Sequence, residues 1–258
     1  MKPLVKAYFK AYPWLAKSPI RTGLITGLAL GAFNREDFHY LDELNAGRTG
    51  KWASESHNMR GLLDWEAKAL KAWFPASGRL LLTAAGGGRE ALALEPMGYQ
   101  LSASECNPAL VSAANRHLEK HGLTTRIEQC NRDEAPATSG KFDGVIVGWG
   151  SYTLIGTRRT RLKLLSKLAG YLDPGKPILL SYFKNEGTAG FADKVQRSVA
   201  STMRRLRRQA ALERGDVMDW NYRYRFTDDE IRDELSTAGF QPAMVSDEGY
   251  PHAVGLKR

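Results

Sequence analysis

Cysteine is scarce. The chain has two in 258 residues, Cys106 and Cys130. A pair makes neither a disulfide framework nor a metal-ligand pattern. A chain of this length buries enough apolar surface to fold without cross-links, so the expectation is two reduced thiols in a cytoplasmic protein. A membrane-length apolar run is also missing. The stretch Gly23–Phe33 is about half of what a span needs. The opening MKPLVKAYFKAYPWL is basic and apolar, but Pro3, Pro13 and the lack of a cleavage-site pattern count against a secretion signal. An interfacial amphipathic segment is the other reading of that stretch. There is no internal repeat and no low-complexity tract.

Positive charge is in excess. Lysine and arginine number 37 against 28 acids, a formal net charge of +9, with a pI near 9.5. That permits an anionic partner without showing one. Arg158–Lys167 is one basic stretch, and Arg204, Arg205, Arg207 and Arg208 form another. A solvated helix face is the plain reading of both; an anionic substrate or nucleic acid is the sharper one.

The chain changes character near residue 76. Before it the pattern is helical and aromatic. A first helix is expected to break near Pro13, a second to cover Ile20–Phe33 though weakened by Gly23, Gly27 and Gly31, and a third to cover Asp37–Leu44. Ala46–Ser56 reads as a polar loop. Met59–Phe74 reads as one helix, with Leu62, Leu63, Ala67, Leu70 and Trp73 at helical spacing. From Arg79 strands and helices alternate, the pattern of a mainly parallel sheet covered on both faces. Residues 185–222 interrupt the alternation with a helix. Thr227-Asp228-Asp229-Glu230 then reads as a capping box, and Phe240–Val245 with His252–Leu256 as a closing pair of strands.

The most informative stretch is Leu80–Cys106, LLLTAAGGGREALALEPMGYQLSASEC. It reads as strand, glycine turn, helix and second strand. Gly86, Gly88 and Ala91 fit G-x-G-x-x-G/A, a turn that lets a backbone approach a nucleotide. Glu105 follows roughly twenty residues on, where an acid accepts from ribose hydroxyls. Alone, this stretch suits any adenosine-type cofactor.

Four features together resemble the class I S-adenosylmethionine-dependent methyltransferases over residues 57–258. They are the glycine turn with Glu105, Asn131-Arg132-Asp133 after the third strand, the passage LDPGKPILLSYF, and FTDDEIRDELSTAGF before the last strands. HNMRGLLDWE, GGGREAL and GWGS resemble an uncharacterised bacterial branch. The resemblance implies an α/β Rossmann-like sheet, mainly parallel with a closing antiparallel strand, over 77–258. Residues 1–76 would be a helical cap. It implies S-adenosyl-L-methionine as cofactor and methyl transfer to a small-molecule or peptide-borne nucleophile. Cofactor contacts fall on Ala84, Gly86, Gly88, Arg89, Glu105, Cys106, Asn107, Asp133, Gly148 and Trp149. Arg89 could instead exit to solvent or pair with a carboxylate of its own chain.

Two departures stand out. Leu82 occupies a position that is often acidic, and Ala84 replaces the first glycine. Alanine fits there if its backbone is extended. His57 and Tyr152 are candidate bases, Tyr152 only with a lowered pKa. Arg60, Ser151, Tyr182 and Tyr222 are candidate substrate contacts. Trp220, Tyr222 and Tyr224 suggest an aromatic lid. Other readings are an RNA methyltransferase, a non-catalytic cofactor-binding protein and a nicotinamide-dependent oxidoreductase. No Tyr-x-x-x-Lys pair stands in the right place for the last. GWGSY in place of an Asn-Pro-Pro-Tyr signature argues against adenine- or glutamine-directed transfer.

Overall fold

The structure, a computed structural model, describes residues 2–187 and 189–258, the side chains of 47–49 excepted. In chain order the helices and strands are α1 (Lys2–Leu15), α2 (Pro19–Ala32), α3 (Arg35–Thr49), α4 (Glu55–Asn58), α5 (Asp64–Trp73), β1 (Gly78–Thr83), α6 (Arg89–Leu94), β2 (Tyr99–Glu105), α7 (Pro108–Lys120), β3 (Ile127–Gln129), β4 (Gly144–Val147), α8 (Arg158–Ala169), β5 (Pro177–Ser181), β6 (Phe183–Lys184), α9 (Phe191–Leu206), β7 (Asp216–Met218), β8 (Tyr222–Phe226), α10 (Asp228–Thr237), β9 (Phe240–Ser246) and β10 (His252–Lys257). They form two compact units. One comprises Met1–Thr49 and Phe183–Thr227, the other Gly50–Tyr182 and Asp228–Arg258.

This division differs from a cut at residue 76. Residues 50–76 pack with the large sheet, because Trp65, Ala69, Leu70 and Phe74 of α5 and its C-terminal end are buried in that sheet's core. Residues 183–227 join the first three helices, because α9 and β7 supply Ala200 and Met218 to a core with Val5, Tyr8, Leu30, Phe33 and Leu41.

In the helical unit, α1 runs unbroken through Pro13. Proline removes a single donor there, in the last turn, where the bond lost is the one to Phe9. The glycines of α2 serve contact rather than weakness. Cβ atoms built on Gly23, Gly27 and Gly31 would lie 2.6, 2.8 and 2.6 Å from atoms of Ala192, Gln196 and Met203. Successive glycines meet successively later residues of α9, so α2 and α9 run in the same direction at close approach, which offsets the helix cost of glycine. Helix α3 is longer than expected, and α4 occupies part of the expected loop. The expected helix 59–74 begins only at Asp64. Gly61, at φ 69°, turns the chain before it.

The sheet unit holds seven strands in the order β3-β2-β1-β4-β5-β10-β9. β1 pairs in parallel with β2 and β4, and β10 alone runs antiparallel, to both β5 and β9. Leu80–Leu82, Val145–Val147 and Ile178–Leu180 are buried continuously, as strands covered on both faces must be. The order reverses between β1 and β4, so the crevice of such a sheet opens at their carboxyl ends. No helix among the described residues is long and apolar enough to cross a membrane.

Candidate cofactor and acceptor site

The turn after β1 is built from left-handed residues. Ala84, Gly86 and Gly88 have φ of 54°, 55° and 94°. Ala84 is therefore not extended as expected; it carries the strain a Cβ feels in that region. Its carbonyl explains Gly148 at the end of β4. A Cβ built on Gly148 would lie 2.1 Å from the Ala84 oxygen, while the Gly148 amide donates to Thr83 O at 2.8 Å. Glycine there lets the two strand ends close.

Glu105 ends β2 and is buried, with its carboxylate held at two points. The Gly86 amide donates to it at 2.9 Å and the Asn107 amide at 2.8 Å. The Cys106 thiol lies 3.3 Å from the same group. Asn107 caps α7, accepting from the amide of Ala109 at 2.9 Å, with Pro108 in the first turn. Asp133, at φ 63°, sits in the loop beyond β3. Neither cysteine forms a disulfide, and burial pushes the Cys130 thiol up.

One side of the turn is open and the other closed. Nothing lies within 4 Å of a Cβ built on Gly86, whereas one on Gly87 would meet Trp52 O at 2.1 Å and Asn58 Nδ2 at 2.4 Å. The segment through α4 thus lies on Gly87. Buried Asn58 ties that segment together, donating to Trp52 O at 3.0 Å and Ser54 O at 2.8 Å. An open glycine face beside a pre-positioned acid at the end of β2 fits the ribose and adenine of an adenosine cofactor.

Arg89 does not face that opening as a free charge. Its guanidinium forms a fork with Glu66, both contacts at 2.6 Å, and also bonds Glu90 at 2.6 Å and Gly61 O at 2.7 Å. All three side chains are buried. Burial opposes the arginine's charge, but Glu66 and Glu90 raise its pKa overall. Burial likewise pushes the Glu90 carboxyl up, against the pull of Arg89. The Arg89 guanidinium is thus held by carboxylates of its own chain.

Beside Arg89 lies a cavity of about 340 Å³, lined by Lys51, His57, Arg60, Asp64, Trp65, Trp149 and Tyr250 among others. Aromatic rings make its frame. Trp149 meets Tyr250 at 5.4 Å and Trp52 at 5.7 Å, and Trp52 meets His57 at 4.9 Å, all edge-on. Trp65 stacks on Tyr250 at 6.0 Å. The indole nitrogens of Trp65 and Trp149 are buried without a hydrogen-bond partner among the described residues, a cost of about 1–3 kcal/mol each. His57 is held below its ordinary pKa, first by burial and then by Lys51, Arg89 and Arg60. It is therefore neutral near pH 7 and can take a proton. Sequence reasoning found His57, Arg60 and Trp149 but not Lys51, Trp65 or Tyr250, which are scattered over two hundred residues and share no spacing.

Several expected contacts belong to the interior instead. Tyr152 is fully buried and donates to Glu234. Burial and that carboxylate raise its pKa well above 10.0, the opposite of what a base requires. Tyr182 is also fully buried, its hydroxyl 2.8 Å from Asp228, and cannot wall a substrate pocket. Ser151 closes its own turn, donating to Gly148 O at 2.7 Å. Tyr222 lies in the core of the helical unit, stacked on Phe38 at 4.8 Å and bonded to Asp216 at 2.8 Å. Tyr224 is buried against Phe226, and Trp220 packs on Tyr12. Tyr222 and Tyr224 are thus buried in the interior, while Trp220 is exposed.

The basic stretches are partly consumed too. Arg161 is fully buried on α8, its Nε 3.0 Å and Nη2 2.8 Å from Glu234. Arg158 pairs with Asp233. Arg204 donates to Leu30 O at 3.3 Å and Ala210 O at 3.0 Å.

Neither a protein-family profile nor a curated protein sequence matches the chain. Solved structures do. A SAM-dependent methyltransferase from Methanosarcina mazei superposes with a TM-score of 0.59 at 15% identity, over 76% of this chain and 98% of that one. DesVI of Streptomyces venezuelae gives 0.55 at 14%, over 88% and 99%. CalS10 of Micromonospora echinaspora, an amino pentose methyltransferase solved with SAM bound, gives 0.53 at 15%, over 85% and 97%. With the strand order and the lone antiparallel β10, these matches show that the chain has the class I S-adenosylmethionine-dependent methyltransferase fold.

Proposed function

We propose that the chain is an S-adenosylmethionine-dependent methyltransferase acting on a small molecule. The observation that carries this is Glu105, fixed by the Gly86 and Asn107 amides beside the open face of the turn. Glu105 would hold the ribose, with Gly86, Gly88, Cys106 and Asn107 around it and Asp133 toward the adenine. Leu82 is buried in β1, so the cofactor's amino group must find acceptors elsewhere, such as backbone carbonyls near Ala84.

When bound, the cofactor supplies an electrophilic methyl on a sulfonium; the chain supplies alignment and a proton acceptor. The cavity framed by Trp65, Trp149 and Tyr250 is the acceptor pocket. Its size suits a small molecule. Lys51 and Arg60 attract acidic or polar groups. Neutral His57 accepts the proton of an amine or hydroxyl as it becomes the nucleophile. That CalS10 is an amino pentose methyltransferase supports a small polar acceptor.

Calorimetry with S-adenosylmethionine, S-adenosylhomocysteine and NAD tests the cofactor. Binding of the first two alone is expected, and preference for NAD overturns the proposal. A transfer screen with methyl-labelled cofactor over amines, hydroxyls, thiols and carboxylates then tests the reaction. Turnover with one class is expected; cofactor binding without transfer to any of them leaves a binding protein and overturns the catalytic reading.

A further inference from the structure

The surface of α1 and α2 is chemically one-sided. Residues 1–35 contain no aspartate or glutamate. The exposed residues from Lys2 to Ala32 are Lys2, Lys6, Lys10, Lys17 and Arg21, together with Leu4, Trp14, Leu15, Ile20, Leu24, Leu28, Ala7, Pro3 and Pro19. None is acidic, and the Trp14 indole is the one uncharged hydrogen-bonding side chain among them. A helix face made for water carries glutamate, glutamine, serine or asparagine among its basic groups. This one pairs cations with bare hydrocarbon.

The apolar members are well exposed. Trp14 is 72% accessible, Leu4 59%, Ile20 55% and Leu28 49%. Ile20, Leu24 and Leu28 recur at i, i+4 and i+8, so they form one stripe along α2. The glycine row that contacts α9 lies beside this stripe on the helix, and the stripe's own side chains are exposed rather than part of the unit's core. Lys17 lies 5.5 Å from the Trp14 ring, placing a cation beside the indole at the junction of the two helices. Further basic residues, Lys194, Arg197 and Arg205, are exposed on α9.

We infer that this face docks on an anionic lipid bilayer. Charge complementarity selects the occupant. A polyanionic nucleic acid would use the lysines but leave five aliphatic side chains in water. A neutral protein groove would use the aliphatics but strand the lysines. An anionic bilayer surface takes both. Leucines and tryptophan enter the headgroup boundary, while lysine stems reach back to the phosphates. Short apolar insertion and a basic patch are each weak alone and add together. The contact is peripheral, and it would bring the catalytic chain to acceptors at or released from a membrane.

Sedimentation of the full-length protein with extruded vesicles tests this. One set is phosphatidylcholine alone, the other phosphatidylcholine with phosphatidylglycerol. Pelleting with the anionic set only, weakened by salt, is the expected result. The variant Leu24→Glu/Leu28→Glu should lower the apparent affinity at least about tenfold, and Lys6→Gln/Lys10→Gln/Lys17→Gln on the order of a hundredfold. Each substitution is at an exposed position, and helicity by circular dichroism checks folding. A second readout does not depend on mutant stability. Brominated lipid in anionic vesicles should quench part of the wild-type tryptophan emission, and Trp14→Phe should remove that quenched part. No pelleting with anionic vesicles overturns the inference. So does pelleting unaffected by the α2 pair, or quenching unaffected by Trp14→Phe. Self-association that Leu24→Glu/Leu28→Glu dissolves, without vesicle binding, would assign the face to a second copy and equally overturn it.

Discussion

Replacing Arg89 with alanine separates two roles that sequence could not. The structure places the guanidinium between Glu66 and Glu90, with contacts of 2.6 Å to each. Arg89, Glu66 and Glu90 are 4, 5 and 5% exposed. Removing the arginine leaves two carboxylates facing each other away from water. Breaking a buried pair from one side costs about 3–5 kcal/mol. Glu66 also caps α5 by accepting from the Leu63 amide at 2.7 Å, so its displacement would loosen that helix start and raise the cost. At roughly 2–4 °C per kcal/mol for a unit of this size, the expected fall in melting temperature is about 6–20 °C.

The assay is thermal and urea unfolding of Arg89→Ala beside calorimetric affinity for S-adenosylhomocysteine. A companion variant, Arg89→Met with Glu66→Gln and Glu90→Gln, removes all the charge at once. It should recover most of the stability, because neutral groups of similar shape tolerate burial. The reasoning is refuted if Arg89→Ala melts like the wild type yet loses more than about tenfold in affinity. That outcome would return Arg89 to the cofactor's carboxylate.

Other consequences follow from the same geometry. Glu105→Ala should weaken S-adenosylhomocysteine binding by more than tenfold, roughly 1.4 kcal/mol, and unchanged affinity removes Glu105 from the ribose. Tyr152→Phe should leave the pH profile of turnover intact while lowering stability by about 1–3 kcal/mol through loss of the bond to buried Glu234; a lost alkaline or acidic limb would restore it as a base. If His57 accepts the proton, kcat/KM should rise with pH through a midpoint below 6.5, since its pKa is lowered, and His57→Gln should abolish that limb. Glu95 is held at about 2 because hydrogen bonds from Thr125 and Thr124 outweigh the opposing burial. Its folded pKa lies below the unfolded value, so its contribution is full above pH 4.5 and is lost as pH falls toward 2. Glu95→Gln should flatten acid unfolding across that window, and an unchanged acid limb counts against the bonds.

What the sequence revealed and what it hid follow one physical rule. The β1 turn, Glu105 and the alternation of strands and helices were legible because their determinants are local. The acid and its Gly86 amide are 19 residues apart, within one strand–turn–helix–strand unit whose apolar runs and glycines name each part. Helix ends misplaced by a few residues, such as the start of α5 at Asp64 rather than Met59, reflect a turn at Gly61 that hydrophobic spacing alone does not register. The division into units was hidden because it depends on residues 183–227 returning to helices nearly two hundred positions earlier.

The site shows the same limit more sharply. A sequence displays a charge or a hydroxyl, but not its partner, and the partner decides the chemistry. Tyr152 stands after the fourth strand, where an exposed hydroxyl would meet substrate. Glu234, 82 residues on, claims it. Arg161 lies in a stretch that reads as a basic face, and the same Glu234 draws it wholly inside. Arg89 opens the helix after the glycine turn, and Glu66, 23 residues earlier, holds it. Each such group was ambiguous for a single reason. Burying an unpaired charge is too costly to persist, so a buried carboxylate must capture a cation, and it captures one already near the site. The groups left available are those with no such partner among the facing elements. Here they include His57, beside the positive charge of Lys51, Arg89 and Arg60. The leading candidates for acceptor chemistry were thus selected by subtraction. If His57→Gln and Trp149→Phe both leave turnover and acceptor KM unchanged, the cavity is not the acceptor pocket, however well its shape suits one.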